Sequence, residues 1–192
     1  MKITSVSIQR AYESGLGDRV TASHTTAMHS YNNGYMMRLL KMSHINIVAN
    51  PCVNVHLGGR ADNYPKRRSV TRVKELTQEK INVSFGCDSI CDPWNPLGDG
   101  GMRDAVFMGL YICHMLGYQD ILDSYRFISY NAAKTLHLGE SYGIKVGNPA
   151  NFIILDAPNF YEALNNHAVV LYSYKQGKKL LESKPAEKNL KF

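Results

Sequence analysis

The chain has no apolar run approaching the roughly 18 residues that cross a bilayer, which removes a membrane partner from the expectation. Its opening residues, Met1-Lys2-Ile3-Thr4-Ser5, lack the apolar core of a secretion signal, so a cytoplasmic protein is expected. Cysteine is scarce. Cys52, Cys87, Cys91 and Cys113 form no Cys-x-x-Cys pair, and Cys87 and Cys91 stand four apart in a loop-like stretch, poor spacing for zinc. Reduced, mostly buried thiols are expected. There is one tryptophan, Trp94, and no low-complexity tract. With 44% hydrophobic and 20% charged residues, wholesale disorder is excluded. Acidic residues fall short of basic ones, leaving a net charge of +6. The surplus gathers in Lys66, Arg67, Arg68, Arg72 and Lys74 and in a tail with Lys178, Lys179, Lys184, Lys188 and Lys191. Only Tyr64 is interleaved with the first cluster, and Glu182 and Glu187 break the second, so both read as solvated faces and no nucleic-acid partner is expected.

What is present is an α/β pattern. Arg19–His24, Ile45–Pro51 and Ile81–Asp88 are extended, rich in β-branched or apolar residues and bounded by turn residues. Helical spacing lies between them. Tyr35, Met36, Leu39 and Leu40 share a face, and Val70, Val73 and Thr77 share another, opened by Ser69 as N-cap. After the third strand, Met102, Ala105, Val106, Gly109, Ile112, Cys113 and Leu116 follow the i, i+3, i+4, i+7 rule. A second helix carries Ile121, Tyr125, Ile128, Ala132 and Leu136. Such alternation implies parallel βα units. Three units cannot close an eight-stranded barrel, and an open sheet of three would have bare edges, so the pattern implies a piece of something larger.

After Leu138 the chain is punctuated by Gly139, Gly143, Gly147 and Pro149. Residues 150–156 and 168–174 then read as strands, and a turn at Gln176-Gly177-Lys178 leads to Lys179–Glu182, a small antiparallel module. The expected division is 1–139 and 140–192.

In parallel βα folds, chemistry collects at the C-terminal strand ends. Here those ends present His24, Asn50 and Asp88. A carboxylate that can bind a cation or take a proton, beside an imidazole that can polarise water, suits a hydrolytic site. The same residues also suit ordinary polar strand ends, and spacing alone does not choose.

A resemblance does choose. Residues 20–31, Val-Thr-Ala-Ser-His-Thr-Thr-Ala-Met-His-Ser-Tyr, resemble the sixth strand and following loop of the bacterial cytosine deaminases of the amidohydrolase superfamily. Val48-Ala49-Asn50-Pro51 with Val53-Asn54 resembles the seventh strand, and Tyr64-Pro65-Lys66-Arg67-Arg68 with residues 71–75 the loop and helix after it. Phe85-Gly86-Cys87-Asp88, Asp92-Pro93-Trp94 and Pro96-Leu97-Gly98 resemble the eighth strand and its loop. Gly143-Ile144, Gly147-Asn148 and residues 150–155 resemble the return strand of the superfamily's small β-sandwich. The likeness implies the C-terminal βα units of a TIM-type (β/α)8 metal-dependent hydrolase barrel, here the last three strands and helices, followed by part of a β-sandwich.

The resemblance further implies hydrolysis of cytosine to uracil and ammonia with one divalent metal, iron or zinc. His24 would contact the attacking water and substrate. Asp88 would be both metal ligand and proton shuttle. Trp94 and Ser89 would border the substrate, and His29 would orient a neighbour. The chain also departs from the family. It has no His-x-His, no His-Cys-Asp-Glu-like segment and no earlier substrate-binding glutamine; Ser89 stands where relatives often carry a second carboxylate, and the loop after Tyr31 is shorter. Taken as a C-terminal portion alone, the chain is expected to bind metal weakly or not at all and to be inactive. Other readings are a non-catalytic binding or regulatory remnant, or one half of a split deaminase acting on isoguanine or creatinine. A homo-oligomer or a complementing N-terminal half is the expected protein partner.

Overall fold

A computed structural model describes residues 2–30 and 33–185. Tyr31, the start of the loop after it, and the tail residues Glu187, Lys188 and Lys191 lie outside the described residues, as does the side chain of His29. In chain order the elements are α1 (Lys2–Glu13), β1 (Thr21–Ser23), α2 (Asn33–Ser43), β2 (Asn46–Ala49), α3 (Pro51–Leu57), α4 (Val73–Gln78), β3 (Val83–Phe85), α5 (Met102–Ile112), α6 (Tyr118–Asp123), α7 (Tyr130–Thr135), β4 (Phe152–Leu155), α8 (Phe160–Asn165), β5 (Val170–Lys175) and β6 (Lys178–Glu182).

The first three strands form one parallel sheet in the order β1-β2-β3, with Ala22 opposite Ile47 and Ile47 opposite Val83. β2 lies in the middle and is almost wholly buried, as an apolar parallel strand covered on both faces should be. β1 is an edge, with Thr21 and Ser23 exposed. No sheet among the described residues is closed into a barrel. At the far end of this sheet the amide nitrogen of Asn82 donates to Asn46 Oδ1 (2.8 Å) and Thr135 Oγ1 (3.1 Å), a satisfied polar cluster that holds the strands and α7 in register.

One apolar cluster joins Ile8 and Ala11 of α1, Met36 and Leu40 of α2, the strand residues Ile47, Val83 and Phe85, and Val106 and Leu110 of α5. Fully burying such a side chain is worth about 1.5–3 kcal/mol. Gly109 lets α5 close on the sheet. A Cβ there would lie 2.6 Å from the ring of Phe85, which is stacked on Phe127 at 4.7 Å.

The helices depart from the sequence pattern in definite ways. Tyr35 turns outward while Met36 and Leu40 are buried. Ser69 is not a cap, because α4 begins only at Val73, after Arg72. α5 stops at Ile112, leaving Leu116 beyond its end and exposed. The expected helix over 121–136 is broken into α6, a 3-10 turn over Ser124–Ile128, and α7. The Ser124 hydroxyl donates to the carbonyl of Ile121 (2.7 Å) and that of Ser129 to Tyr125 (2.7 Å), competing locally with the helical ladder. The break turns Phe127 and Ala133 inward and leaves Leu136 exposed. Cysteines are free, but none is fully buried: Cys91 is exposed and Cys52, Cys87 and Cys113 are half-buried.

The second sheet is antiparallel, β4-β5-β6. Its β5–β6 turn places Gln176 and Gly177 at positive φ (51° and 75°), the geometry that matches hairpin twist. Phe152 stacks on Tyr174 across β4 and β5. α8, which the sequence pattern did not show, is capped by the Asn159 side chain accepting from the Glu162 N–H (2.9 Å), and it buries Leu164 in the shared core. No helix among the described residues is long and apolar enough to cross a membrane.

Candidate active site at the strand ends

His24, Asn50 and Asp88 each follow the end of one parallel strand, so the three reach the same side of the sheet. His24 Nε2 lies 3.6 Å from Asp88 Oδ2, and both side chains are partly open to solvent. That distance is long for a hydrogen bond. Asn50, buried between them, donates from Nδ2 to Ser23 Oγ (2.9 Å) and approaches His24 Nε2 at 3.5 Å. Gly86 makes this possible, since a Cβ there would sit 2.3 Å from Asn50 Oδ1.

The backbone is bent to present these groups. His24 (φ 64°), Thr25 (φ 47°) and Asp88 (φ 66°) are all left-handed, which costs a residue with a Cβ about 1–2 kcal/mol. Cross-links hold His24 there. Its N–H donates to the Val48 carbonyl (2.8 Å), and its carbonyl accepts from the hydroxyl of Thr71, a buried residue just before α4.

One site residue enters the resemblance only within the Val53-Asn54 match and is given no role there. Asn54, buried on α3, places its Nδ2 2.8 Å from His24 Nδ1. Pro51 immediately after a strand marks a helix start, which places Asn54 on α3 but does not show its contact with His24.

The loop after Asp88 is organised by Asp92, which the resemblance included beside Trp94 without giving it a role. Its Oδ1 accepts from the N–H groups of Trp94 and Asn95, both at 2.9 Å. Burial pushes its carboxyl up, but these bonds and one from the Ser89 hydroxyl outweigh that and hold it below the ordinary range. Ser89 therefore directs its hydroxyl to Asp92, and its carbonyl accepts from Asn95 Nδ2 (3.0 Å). Trp94 stands half exposed on this loop.

A divalent ion of the zinc or iron type takes four or more donors. Among the described residues no group of three or more His, Cys, Asp or Glu side chains is gathered to hold one. The Cys52 thiol does not help: burial, then the neighbouring Cys87 and Asp104, pushes its pKa up and keeps it protonated. The residues present do not fit a complete metal site. An apolar cavity of about 630 Å³ lies elsewhere, between the antiparallel sheet and the 3-10 turn, lined by Tyr125, Ile128, Phe152, Phe160, Tyr174 and other side chains. It has no acid–base pair.

The amidohydrolase family matches residues 6–180. The chain belongs to that family. Its fold superposes on 5-methylcytosine deaminase from Klebsiella pneumoniae, liganded with 5-fluorocytosine, with a TM-score of 0.92 at 47% identity, over 97% of this chain and 46% of that one. N-isopropylammelide isopropylaminohydrolase from Burkholderia multivorans shares the fold at a TM-score of 0.74 and 19% identity, over 90% of this chain and 41% of that one. The N-isopropylammelide isopropyl amidohydrolase of Pseudomonas sp. (strain ADP) is 26% identical over 106 residues, 55% of this chain and 26% of that protein. This amidohydrolase thus spans less than half the length of these relatives.

The match corrects one expectation. From the sequence, the likeness is to the C-terminal portion only of a cytosine deaminase. The family match instead runs almost end to end, and the physical reason is visible in α1: Ile8 and Ala11 are buried in the same core as the strands, so this helix is part of the family fold.

Proposed function

We propose that this amidohydrolase carries the proton-handling part of a site that deaminates a cytosine-type ring. The observation that carries the proposal is His24 facing Asp88 at 3.6 Å on the C-terminal strand ends. The 47% identity to a 5-methylcytosine deaminase supports the choice of ring.

In the proposed reaction, water adds to the amidine-like ring carbon and the Asp88 carboxylate takes one of its protons. The carbon–nitrogen bond to the exocyclic amine then breaks. The amine leaves as ammonia after receiving that proton, and the other proton of the water ends on the adjacent ring nitrogen, so the oxygen stays on the ring as a carbonyl. His24 orients the water and the ring. Trp94 and Ser89, on the loop that Asp92 braces, border the ring. Residues 1–139 form the unit that holds this site, with 140–192 as the antiparallel unit beside it. The intact family would use one divalent metal, iron or zinc. Among the described residues the donor set is incomplete, so the remaining donors come from outside them, and these residues alone are inactive.

The test is ammonia release from cytosine, 5-methylcytosine, isoguanine and creatinine with iron(II), zinc or manganese supplied. It is run on the purified chain and on the chain co-refolded with the stretch of the Klebsiella enzyme that it does not match. We expect no release from the chain alone. The complemented assembly should release ammonia from cytosine or 5-methylcytosine, and lose that activity in Asp88→Ala and His24→Ala. Turnover by the chain alone would overturn the donor count, and a folded complemented assembly without turnover on either pyrimidine would overturn the assignment.

A further inference from the structure

We propose that Asn54 is a positioning residue that locks the neutral His24 ring in one tautomer, with its hydrogen on Nε2 and directed at Asp88. The inference deepens the reading of His24 given above and rests on it for its functional meaning, though not for its test.

An amide nitrogen is a donor only, and Asn54 Nδ2 sits 2.8 Å from His24 Nδ1. Nδ1 must therefore offer its lone pair, and a neutral imidazole then carries its hydrogen on Nε2. Two further observations agree. Nε2 faces the Asp88 carboxylate at 3.6 Å, where a lone pair would meet an anionic oxygen and an N–H meets it favourably. The amide of Asn54 leaves its Oδ1 buried with no partner among the described residues. Turning the amide over would satisfy that oxygen only by burying the two Nδ2 hydrogens unpaired, and an orphaned N–H is tolerated less well than an under-satisfied carbonyl.

The lock is stiff by construction. Asn54 is 6% exposed, and its backbone is tied at both ends, N–H to the Asn50 carbonyl (2.9 Å) and carbonyl to the Gly58 N–H (2.9 Å). Asn50, the other amide near the ring, gives one Nδ2 hydrogen to Ser23 Oγ and stands 3.5 Å from Nε2, at the limit of a hydrogen bond, so the 2.8 Å contact of Asn54 with Nδ1 sets the tautomer. The chemical consequence is that the neutral ring acts as a hydrogen-bond donor toward whatever Asp88 holds, leaving the carboxylate as the base. That division of labour follows from a side chain contributed by α3, one helix away from either reacting group.

The experiment reads the ring nitrogens directly, by two-bond proton–nitrogen correlation spectra of the 15N-histidine-labelled chain well above the ordinary histidine range. Signals of His24 are identified by their loss in His24→Gln. The intact chain should show a single tautomer protonated on Nε2. Asn54→Leu should lower the Nε2-protonated share, leaving only the bias that Asp88 supplies. Asn54→Asp, nearly isosteric and an acceptor, should reverse it to the Nδ1-protonated form. Unchanged signals from the other histidines establish that each variant is folded, and a variant that fails this control is replaced by Asn54→Ser. Nδ1 protonation in the intact chain, or an Asn54→Asp ring still protonated on Nε2, would overturn the proposal. Neither readout depends on turnover, so a failed deaminase assignment would leave this result standing.

Discussion

Replacing Gly109 by alanine tests the packing of α5 against the sheet because two effects oppose each other there. In a helix interior, glycine-to-alanine is favourable by about 0.8–1.0 kcal/mol. At this position the new Cβ would lie 2.6 Å from Cε2 of Phe85 and 2.7 Å from Cζ. The ring cannot simply yield, because it is buried and stacked on Phe127 at an interplanar angle of 15°. Overpacking of this kind costs about 1–3 kcal/mol, and disturbing an aromatic pair forfeits about 0.5–1.5 kcal/mol more. The clash wins, with a net loss of about 0.5–3.5 kcal/mol. For a chain of this size each kcal/mol is about 2–4 °C in Tm, so thermal melts should shift down by roughly 1–14 °C. A double-mutant cycle with Phe85→Leu isolates the cause: with the ring removed, the added methyl should cost much less, giving a favourable coupling above about 1 kcal/mol. Gly109→Ala melting at or above the parent, or additive behaviour in the cycle, would refute the argument.

Two further outcomes follow from local electrostatics. Asp62 accepts from Arg67 at Nε (2.6 Å) and Nη2 (2.7 Å), and that pairing lowers its pKa from 3.8 to about 2. Its folded value is depressed, so its contribution to stability is present above pH 4 and is lost as pH falls toward 2. In Arg67→Ala the Asp62 titration, followed by NMR, should return to the ordinary carboxylate range; an unchanged midpoint would disprove the pairing. Cys113 has its thiol pushed up to about 11, first by burial, whereas Cys91 is exposed. Timed alkylation read by mass spectrometry should therefore modify Cys91 first and Cys113 last, and the reverse order would contradict the structure.

Much of the fold is legible in the sequence because its signals are local. β-branched runs closed by turn residues mark β2 and β3, and the spacing of Ala105, Val106 and Gly109 marks α5. Where a local signal exists but competes with another, the reading slips. Ile121 to Leu136 has helical spacing, yet Ser124 and Ser129 bond back to preceding carbonyls and split the helix. α8 announced itself only through Asn159 and Glu162, three apart, the start of a capping pattern that follows Pro158. The site divides the same way. His24 and Asp88 are visible because they end strands, while Asn54 is hidden because its partner lies 30 residues away in the chain. No periodicity records a contact of that kind.

The 3-10 turn over Ser124–Ile128 has a consequence for the molecule as a whole. Phe127 points into the parallel sheet and stacks on Phe85, three residues before Asp88, while Tyr125 and Ile128 line the apolar cavity under the antiparallel sheet. Five residues thus serve as a party wall between two rooms. Whatever fills or empties the cavity presses on one side of a partition whose other side braces the ring of Phe85, so the antiparallel unit is mechanically a neighbour of the strand ends that carry His24 and Asp88.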